Sequence, residues 1–384
     1  MKVIIKLLKK LILLVFLINI ESVHAEDKIK LGLLAPFSGK NYEIGSSVIQ
    51  SIRMGINKIN NKNILILPRD TKSNPKETLK AVEDLYSKGV RIFIGPVFNE
   101  NLKNLDKFSD AIFLSLTNKI LNNPKNVIST GINAKSQFDA IKKFLEINDL
   151  EKTLVLIPKK EFKEEIEEGI IRSKIKTKKI FYYDAEPTKL TKQIEKITRY
   201  KVRKQNLEDE INRVEKSDDP NKEKKIQNLE KKDTLGKVGF DSIIIADFDE
   251  SLKSVTTSLL YTDVSPKNIS FISLNQWFDE TLFKEKTSQP ISFPSINIEK
   301  YENFNNQYKK IFKKNPSQIA ILSYDLIGLV YYLLLQNNFE IDNKLFLKKN
   351  KFKGISGIFE INKNEINYIL NFYTVSNNNF KEIF

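Results

Sequence analysis

The chain has 384 residues, with 63 Lys and Arg against 48 Asp and Glu, and therefore a formal net charge of +15. It has no cysteine and a single histidine, His24. The lack of cysteine excludes disulfides, thiol nucleophiles and thiolate-bound metals. If His24 is removed on maturation, imidazole ligands and Ser–His–Asp relays are excluded as well. We therefore expect a binding protein that uses no metal or cofactor, rather than an enzyme.

Residues 1–25 have the features of a secretory signal peptide. Lysines at positions 2, 6, 9 and 10 precede a short apolar run at 11–20, and Val23-His24-Ala25 matches the small-x-small cleavage pattern. An uncleaved membrane anchor is the alternative, but a spanning helix needs about 20 apolar residues. No cysteine lies near the cleavage point, so we expect a periplasmic protein that is not a lipoprotein and has no membrane span after signal cleavage.

The positive charge raises the question of a nucleic-acid partner. Export argues against nucleic acid, and the basic residues are interleaved with acids along the whole chain. We interpret the charge as a solvated basic surface, with at most a weak attraction to anionic membranes or acidic polymers.

Short apolar strands alternate with helical segments from residue 29 onwards, and such a series predicts parallel sheets covered on both faces by helices. The series restarts after residue 132, which indicates two α/β lobes. The last section predicts two helices and an antiparallel meander. The predicted strands are 29–34, 64–67, 90–94, 111–115, 153–157, 179–183, 241–246 and 269–274. The predicted helices include 101–108, 137–148, 161–173, 299–312 and 319–335, and the meander covers 357–375.

One segment, 199–232, interrupts this pattern, because more than half of its residues are charged. Leu207, Ile211 and Val214 keep an apolar spacing of three to four residues, which Ile226 and Leu229 resume after a turn. The pattern predicts a protruding helical hairpin with a thin coiled-coil-like apolar seam. A partly disordered charged insertion is the alternative. In both cases the segment is a plausible docking arm for a partner.

Candidate ligand-binding residues follow the predicted strands, since parallel sheets bind ligands beyond the carboxyl ends of their strands. Three loops of the first lobe qualify, and their hydroxyls and backbone N–H groups could hold an anion. Helix capping or turn closure is the alternative role of each hydroxyl. The candidates in these loops are Ser38, Gly39, Tyr42, Asn99, Ser115, Thr117 and Asn118.

The second lobe adds Asp247, Asn275 and Trp277 after two further strands. Asp247 could pair with an ammonium group, and Trp277, the only tryptophan, could line the cleft, anchor a partner or simply pack. The nearby acids Asp249 and Glu250 leave open a two-carboxylate hydrolase, although acids at such turns commonly cap helices. The glycine spacing fits neither a dinucleotide fingerprint nor a phosphate loop.

Several stretches resemble a known family. Residues 29–39 (IKLGLLAPFSG), 92–96 (IFIGP) and 322–325 (LSYD) are similar to the type I periplasmic binding proteins, the leucine/isoleucine/valine-binding superfamily. Within it, residues 235–241 and 273–277 and the charged insertion before them resemble the penicillin-binding protein activator branch.

This resemblance implies two Rossmann-like lobes joined by three crossovers around a cleft that closes on ligand. We assign 26–132 plus 292–340 to an N-terminal lobe and 133–291 plus 341–384 to a C-terminal lobe. In amino-acid binders of the family, Ser115 and Thr117 would hold the ligand carboxylate and an acid such as Asp247 the ammonium. Glu100 departs from the pattern, because it would repel that carboxylate by about 1–4 kcal/mol at 4 Å.

The resemblance leaves two functional hypotheses for an exported, non-enzymatic binding protein. The first is a regulator that acts on a cell-wall synthase through protein contacts. The second is the substrate-binding receptor of an ABC permease, which would bind an amino acid or a similar small polar solute.

Overall fold

The computed structural model of the chain describes residues 28–346 and 348–384. The predicted signal peptide, residues 1–25, lies outside the described residues. Within those two ranges, no helix combines the length and apolar composition needed to cross a membrane. The described chain forms two α/β lobes, each built on one sheet.

The strands alternate with helices along most of the chain. In chain order the strands are β1 (Ile29–Ala35), β2 (Ile64–Asp70), β3 (Ile92–Ile94), β4 (Ile112–Ser115), β5 (Val127–Ser129), β6 (Thr153–Pro158), β7 (Lys179–Tyr183), β8 (Ser242–Ile245), β9 (Ser270–Ser273), β10 (Ile291–Ser295), β11 (Asn350–Lys353), β12 (Ile358–Asn362), β13 (Glu365–Ile369), β14 (Asn371–Ser376) and β15 (Asn379–Glu382).

The helices cover the two sheets, except for the two that form the charged hairpin. They are α1 (Tyr42–Ile59), α2 (Pro75–Ser87), α3 (Ala134–Ile147), α4 (Lys163–Ser173), α5 (Pro187–Ile197), α6 (Tyr200–Glu215), α7 (Lys222–Glu230), α8 (Asp249–Tyr261), α9 (Ile298–Phe312) and α10 (Ala320–Gln336). The predicted helix at 101–108 is instead two 3-10 turns, Asn99–Leu102 and Leu105–Lys107.

The first sheet has the order β11-β12-β13-β5-β4-β3-β1-β2 and the second the order β15-β14-β10-β9-β8-β6-β7. The central strands of both sheets pair in parallel, with Ile29 opposite Ile64 in the first and Thr153 opposite Ser242 in the second. Every residue of β6 is buried, as expected for a strand covered by helices on both faces. The predicted α/β fold with two lobes is confirmed.

Close packing of α1 against α10 completes the first lobe. A Cβ atom on Gly55 would lie 2.5 Å from Cγ2 of Ile327, so only glycine allows the two helices to approach this closely. Ser51 Oγ donates a 2.5 Å hydrogen bond to the Ala320 carbonyl across the same contact. The helices at the end of the chain are thereby fixed to the lobe formed by its beginning.

Strand membership corrects the predicted lobe boundaries. Residues 292–295, assigned to the N-terminal lobe, belong to β10 in the second sheet, and 350–369, assigned to the C-terminal lobe, form β11, β12 and β13 in the first sheet. The predicted meander is antiparallel, as expected, but β13 joins β5 with Glu365 opposite Ser129. An alternating pattern predicts that neighbouring strands pair, but not which sheet edge they join. The chain therefore crosses between the sheets three times: after β5, after β10 and between β13 and β14.

The charged insertion forms the predicted helical hairpin from α6 and α7. Leu207, Val214 and Leu229 are buried between the two helices, and Ile211 and Ile226 pack against them. This small cluster is the apolar seam that the sequence spacing indicates. The remaining side chains of α7 are exposed or half-exposed.

Candidate ligand-binding groove between the lobes

A groove of about 700 Å³ lies where the carboxyl ends of the two sheets face each other. Its first-lobe side is formed by the loops after β3 and β4 and by residues 317–319 before α10. Its second-lobe side is formed by the residues after β8 and β9. This is the location that the topology of parallel sheets favours for a ligand.

Five of the ten predicted site residues line this groove. Asn275 is buried and holds the second-lobe wall in place: its Oδ1 accepts hydrogen bonds from the Trp277 N–H at 3.0 Å and from Ser295 Oγ at 2.9 Å, and its own N–H donates to Gln137 Oε1 at 2.9 Å. These bonds position the Trp277 ring beside the groove. The five predicted residues in the lining are Asn99, Thr117, Asn118, Asn275 and Trp277.

Ser38, Gly39 and Tyr42 do not line the groove. Ser38 Oγ donates to Asp70 Oδ2 at 2.5 Å, and the Phe37 N–H donates to Asp70 Oδ1 at 2.8 Å. Partial burial alone would raise the pKa of Asp70, but the hydrogen bonds from Ser38, Lys72 and Phe37 outweigh it and lower the pKa. The Ser38 hydroxyl therefore stabilises its own loop.

Ser115 is fully buried and also lies outside the groove lining. Its Oγ donates to the Pro96 carbonyl at 2.7 Å and so joins the loops after β3 and β4. Thr117 is buried as well, and its Oγ1 accepts from the Lys119 N–H at 3.2 Å. Both hydroxyls thus make turn-closing contacts, the alternative role considered for them, while Thr117 also lines the groove.

Asp247, the candidate for binding an ammonium group, lies beneath the groove and does not line it. It is 1% exposed, and its carboxylate accepts from Lys160 Nζ at 2.8 Å, from Tyr183 Oη at 2.6 Å and from the Phe248 N–H at 3.0 Å. Burial raises the pKa of Tyr183, and the Asp247 carboxylate raises it further, so the phenol remains a hydrogen-bond donor. A cation of the protein itself already neutralises Asp247.

The other lining residues were not among the sequence-based candidates, and three of them show what the sequence could and could not indicate. Phe98 and Phe248 supply aromatic surface on opposite lobes, and Gln318 lies in the crossover region before α10. Phe98 and Phe248 each lie within four residues of the end of a predicted strand, which was a usable signal. The position of Gln318 could not be predicted from the sequence, because this residue reaches the groove only through the tertiary fold.

Polar contacts also join the lobes beside the groove. The Glu165 carboxylate of α4 accepts hydrogen bonds from the N–H groups of Ile120 at 3.1 Å and Leu121 at 3.0 Å in the first lobe. Arg172 of α4 donates to Glu365 of β13, at 2.6 Å for Nη1, and this hydrogen bond raises the pKa of the guanidinium. These contacts fix the two lobes against each other.

Comparisons with known proteins agree with this geometry. Residues 28–145 match the family model of periplasmic binding proteins. A putative branched-chain amino acid ABC transporter from Rhodospirillum rubrum superposes with a TM-score of 0.70 at 11% identity, covering 93% of this chain and 100% of that one. The leucine binding protein LivK from Thermotoga maritima gives 0.58 at 13% identity, with 92% and 97% coverage.

The chain has the type I periplasmic binding protein fold. A structure described as a regulator of PBP1A shares this fold: the LpoA C-domain from Haemophilus influenzae superposes with a TM-score of 0.61 at 14% identity, covering 92% of this chain and 100% of the domain. The chain covers 59% of full-length LpoA. No curated protein sequence matches the chain. The predicted resemblance to this superfamily is confirmed, and its structural neighbours include both solute-binding proteins and LpoA.

Proposed function

We propose that this protein is an exported, non-catalytic regulator that acts on a cell-wall synthase through protein contacts, in the manner indicated by its similarity to LpoA. The observation that carries the proposal is the helical hairpin of α6 and α7, a charged arm with a fixed base. Transport receptors need a cleft that grips a solute, whereas a regulator needs a surface that a partner can reach.

The base of the hairpin is held by Arg203, which is only 4% exposed. Its guanidinium donates to the Thr198 carbonyl at 3.0 Å, to Thr234 Oγ1 at 2.7 Å and to the Thr262 carbonyl. One side chain therefore joins the segment before the hairpin, the segment after it and the end of α8. The arm is attached at a defined position on the second lobe.

The outer surface of the hairpin is basic on its second helix. Among the described residues of α7 and the two that follow it, five lysines accompany only two acids, Glu223 and Glu230. All five lysines are exposed. Lys225 pairs with Asp219, and the charge of the other four is available to an acidic surface. The five lysines are Lys222, Lys224, Lys225, Lys231 and Lys232.

Several predicted solute-binding groups already have partners within the protein, which also supports this proposal. Asp247 is paired with Lys160, and Ser38 and Ser115 are bonded to the protein itself. Glu100 lines the groove and would repel a ligand carboxylate. Asp249 and Glu250 lie in the first turn of α8, where acids stabilise the helix N-terminus, so a two-carboxylate hydrolase is not favoured.

Replacing residues 205–230 by a short Gly-Ser linker tests the role of the arm. The Leu235 N–H donates to the Arg203 carbonyl at 2.9 Å, so the two ends of the hairpin already adjoin and a short linker can join them. We expect the variant to keep its melting temperature within a few degrees and to lose stimulation of the synthase. A matched variant, Lys222→Glu/Lys224→Glu/Lys231→Glu, should lose stimulation while keeping the hairpin. Unchanged stimulation in both variants would remove the arm from the mechanism.

The second candidate function is a solute receptor for an ABC importer. The groove favours it, because Asn99, Thr117, Asn118, Asn275 and Trp277 converge there. A thermal-shift screen against amino acids and small organic acids tests this function. A ligand at 100 times its dissociation constant should stabilise the protein by about 2.7 kcal/mol, so a screen without any shift would argue against a receptor.

A further inference from the structure

The groove between the lobes is the middle part of a longer depression. A pocket of about 900 Å³ adjoins it on one side and shares Asn99, Glu100 and Lys119 with it. A pocket of about 500 Å³ adjoins it on the other side and shares Trp277 and Gln318. We call the three together the furrow. The three adjoining volumes exceed what one small solute fills, which suits a chain of linked units better.

Buried polar atoms without a hydrogen-bond partner concentrate along the furrow. Among the described residues, six side chains carry such atoms, and four of the six line the furrow. Native proteins leave few buried polar atoms unpaired, so these residues have unused hydrogen-bonding capacity beside the furrow. The four atoms are Oδ1 of Asn99, Asn126 and Asn305 and Oγ of Ser317.

Two further amides are available at the surface of the furrow. The side chains of Asn118 and Gln318 are exposed, line the middle groove and make no hydrogen bond within the described residues. An amide side chain offers both a donor and an acceptor, which matches a hydroxyl group. Only Glu100 and Lys119 bring charge to the middle groove.

An aromatic turn stands where the middle groove meets the smaller pocket. Trp277 and Phe278 adopt φ values of 48° and 57°, a conformation that bulky residues rarely take and that often marks functional sites. The Trp277 and Tyr301 rings lie 6.4 Å apart between centroids, and Phe278 and Tyr301 lie 5.5 Å apart. Phe278 packs into the core, whereas the half-buried Trp277 ring lines both pockets beside the exposed Gln318 amide. An aromatic ring next to a free amide can recognise the apolar face and the hydroxyl rim of a sugar ring.

From this arrangement we propose that the furrow binds a linear, uncharged oligosaccharide, with one sugar ring against Trp277. Acidic side chains outnumber lysines at both ends, among them Asp106, Glu161 and Asp279, so the ends would repel an anionic polymer and can accept hydrogen bonds from hydroxyls. An extended peptide is less favoured, because peptides commonly add to a free sheet edge, whereas the furrow follows loop tips. This proposal does not depend on the synthase contact.

Trp277 is the only tryptophan of the chain, so its fluorescence reports directly on the proposed contact. The purified protein is titrated with four neutral tetrasaccharides, the chito-, cello-, malto- and manno-oligomers, and with their monosaccharides, with calorimetry on the same samples. We expect at least one tetrasaccharide to shift the Trp277 emission and to bind at least tenfold more tightly than its monosaccharide. Asn118→Ala/Gln318→Ala, which changes only exposed side chains, should weaken that binding about tenfold.

Tyr332→Ala is the matched control, because Tyr332 is 45% exposed on α10 and lies outside the furrow. It should bind like the wild type. The proposal is overturned if none of the four tetrasaccharides binds at roughly millimolar concentration, or if the double amide variant binds as tightly as the wild type. Preferential binding of a neutral hexapeptide or of L-leucine would overturn it as well. The hairpin variants should leave saccharide binding intact, which separates this test from that of the proposed function.

Discussion

Two buried charges of the second lobe are satisfied in opposite ways. Asp247, beneath the groove, is paired with a cation, Lys160. Arg203, at the base of the hairpin, donates to neutral oxygens, and its nearest carboxylate contact, Asp263, is 3.9 Å away. The first arrangement neutralises a group that could have met a ligand. The second fixes a projecting arm. The difference indicates that this lobe is organised around the arm rather than around charge recognition in the groove.

Arg203→Ala is the strongest test of this comparison. The change leaves the Thr198 and Thr262 carbonyls without their donor, and unpaired buried groups cost about 1–3 kcal/mol each. We expect a loss of about 3 kcal/mol in local stability, measured as faster hydrogen exchange and proteolysis across 200–230.

Arg213→Ala on the same helix is the control for Arg203→Ala. Its guanidinium is 72% exposed and pairs with Glu210 at 2.7 Å, and exposed pairs contribute about 0–1 kcal/mol. Equal exchange rates for the two variants would mean that Arg203 does not anchor the arm.

Asp247→Ala should have a smaller effect. The variant leaves the buried Tyr183 hydroxyl without its acceptor, while Lys160, which is 36% exposed, can turn towards solvent. We expect a loss of about 2 kcal/mol in the free energy of unfolding, measured by urea denaturation. Asp247→Asn retains an acceptor for Tyr183 and should lose less. If Asp247→Ala is as stable as the wild type and gains amino-acid binding, the carboxylate is not structural and the comparison fails.

Much of the fold was predictable because strand and helix periodicities are local. The strand at 179–183 was located to the residue, and the spacing of Leu207, Val214 and Leu229 predicted the hairpin seam. The distribution of β10 to β13 between the sheets was not predictable. A β-strand pattern specifies which face is buried, whereas the choice of sheet depends on contacts such as Glu365 with Ser129, which are distant in sequence.

The site was predictable only in part, for a related reason. The position of loops after strands predicted that Asn99, Thr117 and Asn118 lie near a cleft, and they line the groove; that they bind a ligand stays a prediction. The hydrogen-bond and ion-pair partners of each side chain could not be predicted from sheet topology. Lys160 and Asp247 are 87 residues apart, and nothing in the sequence near Asp247 indicates that its carboxylate forms an ion pair with a lysine.

Asp325, the buried acid of α10, extends the comparison of buried charges to the first lobe. Of the predictions made here, its replacement should change stability the least. Burial raises its pKa, and the hydrogen bonds that it accepts from Ser356 and from the Ile355 N–H offset only part of that increase. The folded state therefore holds the proton more tightly than the unfolded chain, whose aspartates have a pKa of about 3.9. The resulting stabilisation is full below that pKa and is lost as pH rises through the folded pKa.

The measurement is the pH dependence of the free energy of unfolding for the wild type and for Asp325→Asn. All other acids titrate equally in the two proteins, so the difference between the curves isolates Asp325. We expect the wild type to lose stability relative to the variant as pH rises above about 4. Parallel curves would show that the hydrogen bonds at 355–356 fully compensate burial. Asp325 would then resemble Asp247, whose charge is balanced by its partners, and the contrast would be confined to Arg203.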